Sequence, residues 1–195
     1  MEPELEVALM IRLKSGDSAA FDEIYGVFNR RLLSFLVRLT KNRPVAEDLV
    51  EETWLRLVEN LEKLDADTRL GPWLFTVARN LFVSHCRSRA REHSCTSDLI
   101  VLWPSELPQS PFDLASSNQF EERLEAAIAS LPPKYREALL LVAVEQLRPM
   151  DAASVCAISV ESLRQRLSRA RALLSKYLAD HELSKENHHK EINDG

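Results

Sequence analysis

From Glu92 to Glu122 the chain carries six acidic residues, three prolines (Pro104, Pro108, Pro111), and neither lysine nor arginine. The apolar residues there follow no sustained helical period, so the stretch reads as a linker and splits the protein into two parts. An apolar island, Leu99-Ile-Val-Leu-Trp103, interrupts it and reads as a short segment docking on one domain. Both flanking parts are rich in apolar residues at helical spacing. With four glycines in 195 residues and short β-branched runs, the expected fold is all-α. That length suits two small domains, and 45% apolar with 28% charged residues is globular rather than disordered.

Several classes are excluded early. No apolar stretch approaches the roughly 18 residues that a membrane span needs. The start, Met1-Glu-Pro-Glu-Leu-Glu6, is acidic and unlike a signal or transit peptide. Cys86, Cys95 and Cys156 are too few and scattered for a disulfide framework. The expected compartment is the cytoplasm.

The net charge of −5 argues weakly against a nucleic-acid partner, but its distribution reverses the argument. Residues 71–91 hold four arginines and no acid, and residues 148–180 hold six basic against three acidic groups. Two local basic stretches therefore flank an acidic spacer.

Helix signals place these stretches. Asp17 is a plausible N-cap for a helix carrying Phe21, Ile24, Tyr25 and Phe28. A second helix is expected from Pro44 through Leu49, Val50, Trp54, Leu57, Val58 and Leu61, with Glu47 and Asp48 at its positive end. A third is expected from Gly71-Pro72 to about Arg91. In the C-terminal part a helix is expected from Pro132-Pro133 to about Leu147. A short one follows from Pro149 to about Cys156, then a long one from Ser159 to about Leu178, and a disordered tail over 179–195.

Two of these helices could carry nucleic-acid chemistry. On the third, Leu74, Val77, Ala78, Leu81, His85 and Ser88 share one face. Trp73, Thr76, Arg79, Asn80, Val83, Arg87 and Arg91 share the other, with no acid among them. Arginines clamp phosphates and aromatics stack on unpaired bases; the plain alternative is a solvated face with a core-packed Trp. The C-terminal pair, joined by Ala157-Ile158, matches a helix-turn-helix over about 149–171. Its second helix has a Val160, Leu163, Leu167, Ala170, Leu174 seam and exposes Ser162, Arg164, Gln165, Arg166 and Arg169. Such a helix suits the major groove, where phosphate contacts position it and base-edge contacts specify; the plain alternative is a bundle helix with a basic face.

Four segments in order carry a family resemblance. Glu47-Asp48-Leu-Val-Glu-Glu-Thr-Trp-Leu-Arg-Leu57 resembles the polymerase-binding helix of bacterial sigma factors. Trp73-Leu-Phe-Thr-Val-Ala-Arg-Asn80 resembles their promoter-melting segment. Ser130-Leu-Pro-Pro-Lys-Tyr-Arg-Glu-Ala-Leu-Leu-Leu141 and Ile158-Ser-Val-Glu-Ser-Leu-Arg-Gln-Arg-Leu-Ser-Arg-Ala-Arg-Ala-Leu-Leu174 are similar to their upstream-element reader. Having only these two domains, the chain resembles the extracytoplasmic-function (ECF) group.

The resemblance implies a non-enzymatic, cofactor-free protein with a region 2-like domain over 1–91 and a region 4-like domain over 123–178, joined by the 92–122 linker. It implies core RNA polymerase, promoter DNA and an anti-sigma factor as partners. Within 47–61, Asp48, Glu51, Glu52 and Arg56 would contact polymerase. Within 65–91, the loop Asp65–Gly71 with Asn80 would hold a flipped base of the −10 element, with Trp73 on the same face, while Arg79, Arg87 and Arg91 track phosphates. Ser162, Arg164, Gln165, Arg166 and Arg169 would read the −35 element. The rival readings are a stand-alone helix-turn-helix regulator, which needs a dimer to read two half-sites, and a mimic that only sequesters an anti-sigma factor.

Departures from the family pattern set further expectations. Ala157 stands in the turn where a glycine is usual, which is costly if that residue keeps a positive φ. Ala152 and Cys156 thin the core of the short helix, so that the domain is less stable alone or packs against a partner. Glu51 sits where Gln is common. His85, Cys86, His93 and Cys95 are types that bind zinc, but their spacing matches no common finger, and packing is the better reading. No metal site is expected.

Overall fold

The structure, a computed structural model, describes residues 3–92 and 119–193, with side chains for 4–91 and 120–180. The Leu99–Trp103 island, His93 and Cys95 lie outside the described residues. Helices α1 (Pro3–Lys14), α2 (Ser18–Thr40), α3 (Arg43–Asn60) and α4 (Leu70–Glu92) form the N-terminal domain. Helices α5 (Gln119–Ser130), α6 (Pro133–Leu139), α7 (Pro149–Val155) and α8 (Val160–Asn193) form the C-terminal domain.

Local chemistry sets the helix starts. The carboxylate of Asp17 accepts the Ala19 N–H at 3.0 Å, and the Asn42 side chain accepts the Val45 N–H at 3.1 Å. Ser159 Oγ accepts the Ser162 N–H at 3.1 Å. Pro44, Pro133 and Pro149 occupy first turns, where a missing N–H costs nothing. The start of α4 is capped from a distance: buried Glu6 on α1 accepts the Gly71 N–H at 3.0 Å. Gly71 also lets α4 lie close to α2, since a Cβ there would sit 3.3 Å from the Phe28 ring.

Phe28, Leu32, Phe35 and Leu36 of α2 pack with Leu57 of α3 and Leu74, Phe75 and Phe82 of α4. Burying each such side chain contributes about 1.5–3 kcal/mol. The buried seam of α4 is Leu74, Phe75, Ala78 and Phe82. It is rotated from the expected face, and Val77, Leu81 and His85 are only half-buried. In α3, Leu49, Val50, Trp54 and Leu57 are buried as expected, but Val58 is exposed.

Two expected boundaries change in the C-terminal domain. The helix from Pro133 does not reach Leu147: α6 passes into a π-helical turn over Leu140–Val144 and breaks at Gln146, with φ of 56°. The Glu145 N–H reaches back five residues to the Leu140 carbonyl at 2.9 Å. At the other end α8 continues to Asn193 where a disordered tail was expected. No glycine or proline falls between Val160 and Asn193, so no backbone breaker stops the helix.

The two domains pack on each other. α7 lies against α4 and α6 touches α2, so the thin core made by Ala152 and Cys156 has its covering partner within the same chain. Both residues are buried.

Candidate nucleic-acid interface

The helix-turn-helix is formed by α7 and α8. The Ala157 N–H bonds the Ser154 carbonyl and the Ile158 N–H bonds the Ala153 carbonyl, each at 3.0 Å. Ala157 holds φ of 54°, so the turn keeps the left-handed geometry without the usual glycine. Along α8, Leu163, Leu167 and Ala170 are buried and fix which side faces out. Arg164, Gln165 and Arg169 are exposed, and Ser162 is half-buried over the capping Ser159. Arg166 points inward: one of its terminal nitrogens lies 3.7 Å from Glu137 of α6. The five expected −35 readers thus divide into three outward side chains, one at the cap and one tied to the fold.

On α4, Asn80, Arg87 and Arg91 are exposed, while Trp73 is half-buried against the core. The Trp73 indole is therefore held by packing. Arg79 is also half-buried; its Nε donates to Glu137 at 2.8 Å and a terminal nitrogen lies 3.5 Å from the Asn80 side-chain oxygen. His85 and Cys86 are half-buried on the same helix. Among the described residues no three His, Cys, Asp or Glu side chains gather as a metal site would require.

On α3, Asp48, Glu51 and Arg56 are exposed and Glu52 is half-buried. Arg56 donates to Glu52 at 2.8 Å and lies 3.5 Å from Glu59. The side chain of Arg56 is thus partly committed within its own helix. Two residues missed by the sequence reading stand on this surface. Leu55 is 58% and Val58 is 59% exposed. With Asp48 and Glu51 they run at i, i+3, i+7 and i+10, one outward stripe of acid followed by apolar surface. The spacing is legible in the sequence, but the apolar character of Val58 points it to the core, whereas the structure exposes it.

Buried titratable groups surround the helix-turn-helix. Arg136, 2% exposed, donates to the carbonyls of Ile128, Ala129 and Leu131 at the end of α5 and to that of Arg38 on α2. It satisfies carbonyls that the last turn of α5 leaves open, and burial lowers its pKa to about 10. Burial pushes the Cys156 thiol up to about 12, and Glu137 nearby adds to this.

Two stacked helical domains, one ending in a basic helix and the other in a helix-turn-helix, define a promoter-recognition protein of the sigma-70 type. The family model for Sigma-70 region 2 matches residues 24–92, and that for region 4 matches residues 121–174. The ECF RNA polymerase sigma factor SigM of Bacillus subtilis is 35% identical over 78% of this chain and 91% of its own length. EcfG of Rhodopseudomonas palustris, also an ECF RNA polymerase sigma factor, is 38% identical over 75% of this chain and 78% of its own. The chain belongs to the ECF RNA polymerase sigma factor family. It is therefore a non-enzymatic factor for promoter-specific transcription initiation, which disfavours a stand-alone regulator.

Among solved structures, the sigma factor RpoE of Bartonella quintana, in complex with the anti-sigma factor NepR, matches with a TM-score of 0.67 at 26% identity, over 82% of this chain and 96% of that one. CnrH, in complex with the cytosolic domain of CnrY, shares the fold with a TM-score of 0.65 at 22% identity, over 90% of this chain and 97% of that one. Among the described residues no helix is long and apolar enough to cross a membrane.

Proposed function

We propose that this sigma factor binds core RNA polymerase through the outward stripe of α3, reads the −35 element with α8, and opens the −10 element with α4 and the loop before it. Asp48, Glu51, Leu55 and Val58 meet polymerase, with Glu52 and Arg56 beside them. Arg164, Gln165 and Arg169 contact base edges and phosphates in the major groove. Ser162 supports them, and Arg166 joins them once it leaves Glu137. Asn80 and the loop Asp65–Gly71 hold an extruded base, whose unstacking costs a few kcal/mol. Arg79, Arg87 and Arg91 track phosphates around it, and Trp73 braces the helix.

The observation that carries this reading is α8 itself: a serine-capped helix after a tight turn, with Arg164, Gln165 and Arg169 turned to solvent and its apolar seam buried. An anti-sigma factor fits the same reading, since RpoE of Bartonella quintana was crystallised with one. The protein works in the cytoplasm, where core polymerase is found.

Run-off transcription with purified core polymerase, on promoters selected in vitro with the reconstituted enzyme, tests the proposal. Specific transcripts dependent on the protein are expected. Their absence, with core polymerase active on a control factor, overturns it and leaves the anti-sigma decoy reading.

A further inference from the structure

Helix α1 ends at Lys14, before the region 2 match begins at Ile24. It nevertheless touches the loop between α3 and α4 at both of that loop's ends. At the near end, Lys14 Nζ donates to the Leu64 carbonyl and lies 3.4 Å from the carbonyl oxygen of Glu62. At the far end, the Glu6 carboxylate accepts the Gly71 N–H at 3.0 Å.

Each contact carries the charge that its end of the loop favours. Gly71 lies in the first turn of α4, where N–H groups lack helical acceptors and the helix dipole is positive. Glu6 brings a carboxylate there. Glu62 and Leu64 follow α3 through a 3-10 turn over Leu61–Lys63. Past the end of a helix carbonyls lack donors and the dipole is negative, and Lys14 brings an ammonium. With the two charges exchanged, both contacts would be repulsive.

α1 is itself firmly seated. Leu9, Met10 and Leu13 are buried, and Arg12 pairs with Asp17 at 2.8 Å and Glu23 at 2.9 Å. Glu6 precedes those three apolar residues by three, four and seven positions, so it belongs to the core face of the helix. It is 8% exposed. A carboxylate at such a place is costly unless it is hydrogen-bonded, and its partner is the start of α4. Glu6 and Lys14 stand about 12 Å apart along the helix, at 1.5 Å per residue. A rigid rod thus fixes both ends of a short segment. Between those ends Asp65, Asp67 and Arg69 are exposed, and the Thr68 N–H closes a turn onto the Asp65 carbonyl at 3.0 Å.

We infer that α1 is a brace for the −10 loop, with Glu6 and Lys14 as positioning residues that hold its two ends so that the loop meets an extruded base already ordered. This role rests on the assignment of the loop Asp65–Gly71 and Asn80 to the −10 element. Neither side chain needs to touch DNA. A loose loop has to be ordered at the moment of base capture, and that ordering opposes capture. A braced loop has given up the same freedom on folding. The benefit therefore falls on strand opening, after the closed complex has formed. Polymerase binding by α3 and upstream reading by α8 do not depend on it.

The test uses the full chain, first alone and then as holoenzyme with core polymerase on a promoter selected in vitro. Lys14→Met removes the ammonium but keeps the stem, at an exposed position. Lys14→Arg keeps a cationic donor, and Glu6→Ala removes the contact at the other end. Hydrogen exchange of the amides of residues 64–71 reads the loop. Fluorescence anisotropy reads core binding, and permanganate reactivity of unpaired thymines over time reads opening. Lys14→Met and Glu6→Ala are each expected to speed exchange in the loop and to slow opening, both by about tenfold. Exchange in α2 and α3, affinity for core and affinity for the closed promoter complex should stay at wild type. Lys14→Arg should match wild type throughout. A merely structural role would lower stability without this split between binding and opening.

A folded Lys14→Met that opens promoters at the wild-type rate overturns the inference. So does a variant that loses core affinity and opening in parallel, or a Lys14→Arg as slow as Lys14→Met. If Glu6→Ala fails to fold, Lys14→Met decides alone. Asn80→Ala in the same assay keeps the two readings apart. Slow opening in Asn80→Ala with wild-type opening in Lys14→Met removes the brace and leaves the −10 assignment standing. Wild-type opening in Asn80→Ala removes the −10 assignment, and the brace with it.

Discussion

Arg79 Nε and Glu137 Oε1 meet at 2.8 Å across the boundary between the two domains, with the carboxylate almost fully shielded from water. Removing one member of a buried pair leaves the other charge without a counterion, which costs more than the pair itself contributes. Glu137→Ala strands Arg79 and Arg166 together and should lower full-chain stability by about 3 kcal/mol. Arg79→Ala should cost clearly less, because Glu137 keeps Arg166 and Arg79 is partly solvated. Denaturant unfolding followed by circular dichroism measures both. Equal losses would show that Glu137 does not serve two partners.

The turn of the helix-turn-helix supports a prediction of opposite sign. Ala157 is held at φ of 54°, where an L side chain costs roughly 1–2 kcal/mol. Glycine has no such penalty but gives up some unfolded-state restriction, worth about 0.4–1 kcal/mol. Ala157→Gly should therefore stabilise the protein by about 0.5–1 kcal/mol. A fall in melting temperature would mean that this turn is not the limiting strain.

Cysteine chemistry follows from burial. The Cys156 thiol, buried against Glu137, has its pKa pushed up to about 12 from an ordinary 9.0. It should resist iodoacetamide at pH 8 in the native protein and react once denaturant is added, as peptide mapping would reveal. A raised pKa contributes its stability in full below about 9. That contribution is lost as pH climbs toward about 12, so alkaline unfolding should ease when Cys156 is replaced by Ala in a core that tolerates it.

The proposed contact of α3 with polymerase is testable through the residues that stand outward on it. Leu55→Ser with Val58→Ser should leave stability within about 0.5 kcal/mol, because both side chains are already in water. Affinity for core polymerase should drop tenfold or more, since burying such groups contributes about 1.5–3 kcal/mol each. Reversing charge at Asp48 with Glu51 should act in the same direction. Fluorescence anisotropy with core enzyme measures both, and wild-type affinity in both would move the contact off α3.

Much of this was readable from residue order, and the remainder follows a physical pattern. Asp17, Ser159, Pro44, Pro133 and Pro149 announce their helices because caps and first-turn prolines act within a few residues, whereas the Asn42 cap of α3 shows only in the structure. The seam of α8 was readable because its polar and apolar sides alternate cleanly. Phe75 and Phe82 were missed on α4 because nearly every turn of that helix carries apolar groups, so several faces could be inward. Glu6 gives no local hint that it caps Gly71 from another helix. Pairs that cross between the domains, such as Arg79 with Glu137 and Arg31 with Glu145, were beyond reach for a related reason: sequence supplies the charges and their segments, while pairing depends on how two domains dock. The segment counts pointed to basic stretches as nucleic-acid surface, and in the structure part of that basic charge, Arg79 and Arg166, lies beside the protein's own Glu137.

The two reading helices should be separable by mutation. Arg164 is the better probe of the upstream element than Arg166: its side chain is 70% exposed and its nearest acid, Glu161, lies 3.7 Å away, while Arg166 is bound into the fold by Glu137. Arg164→Ala should remove contacts worth about 1–3 kcal/mol for a good base pairing, and so lower promoter occupancy by polymerase holoenzyme. Strand opening at promoters already occupied should be spared. Asn80→Ala should do the reverse, because Asn80 is exposed on α4, the helix proposed to open the −10 element: closed-complex affinity stays near wild type and strand separation slows. The residues lie in different domains with no shared partner, so the double variant should lose roughly the sum of the two effects. Promoter affinity measured alongside permanganate reactivity of unpaired thymines distinguishes the steps. One shared phenotype for both variants would mean that reading and melting are not divided between α8 and α4.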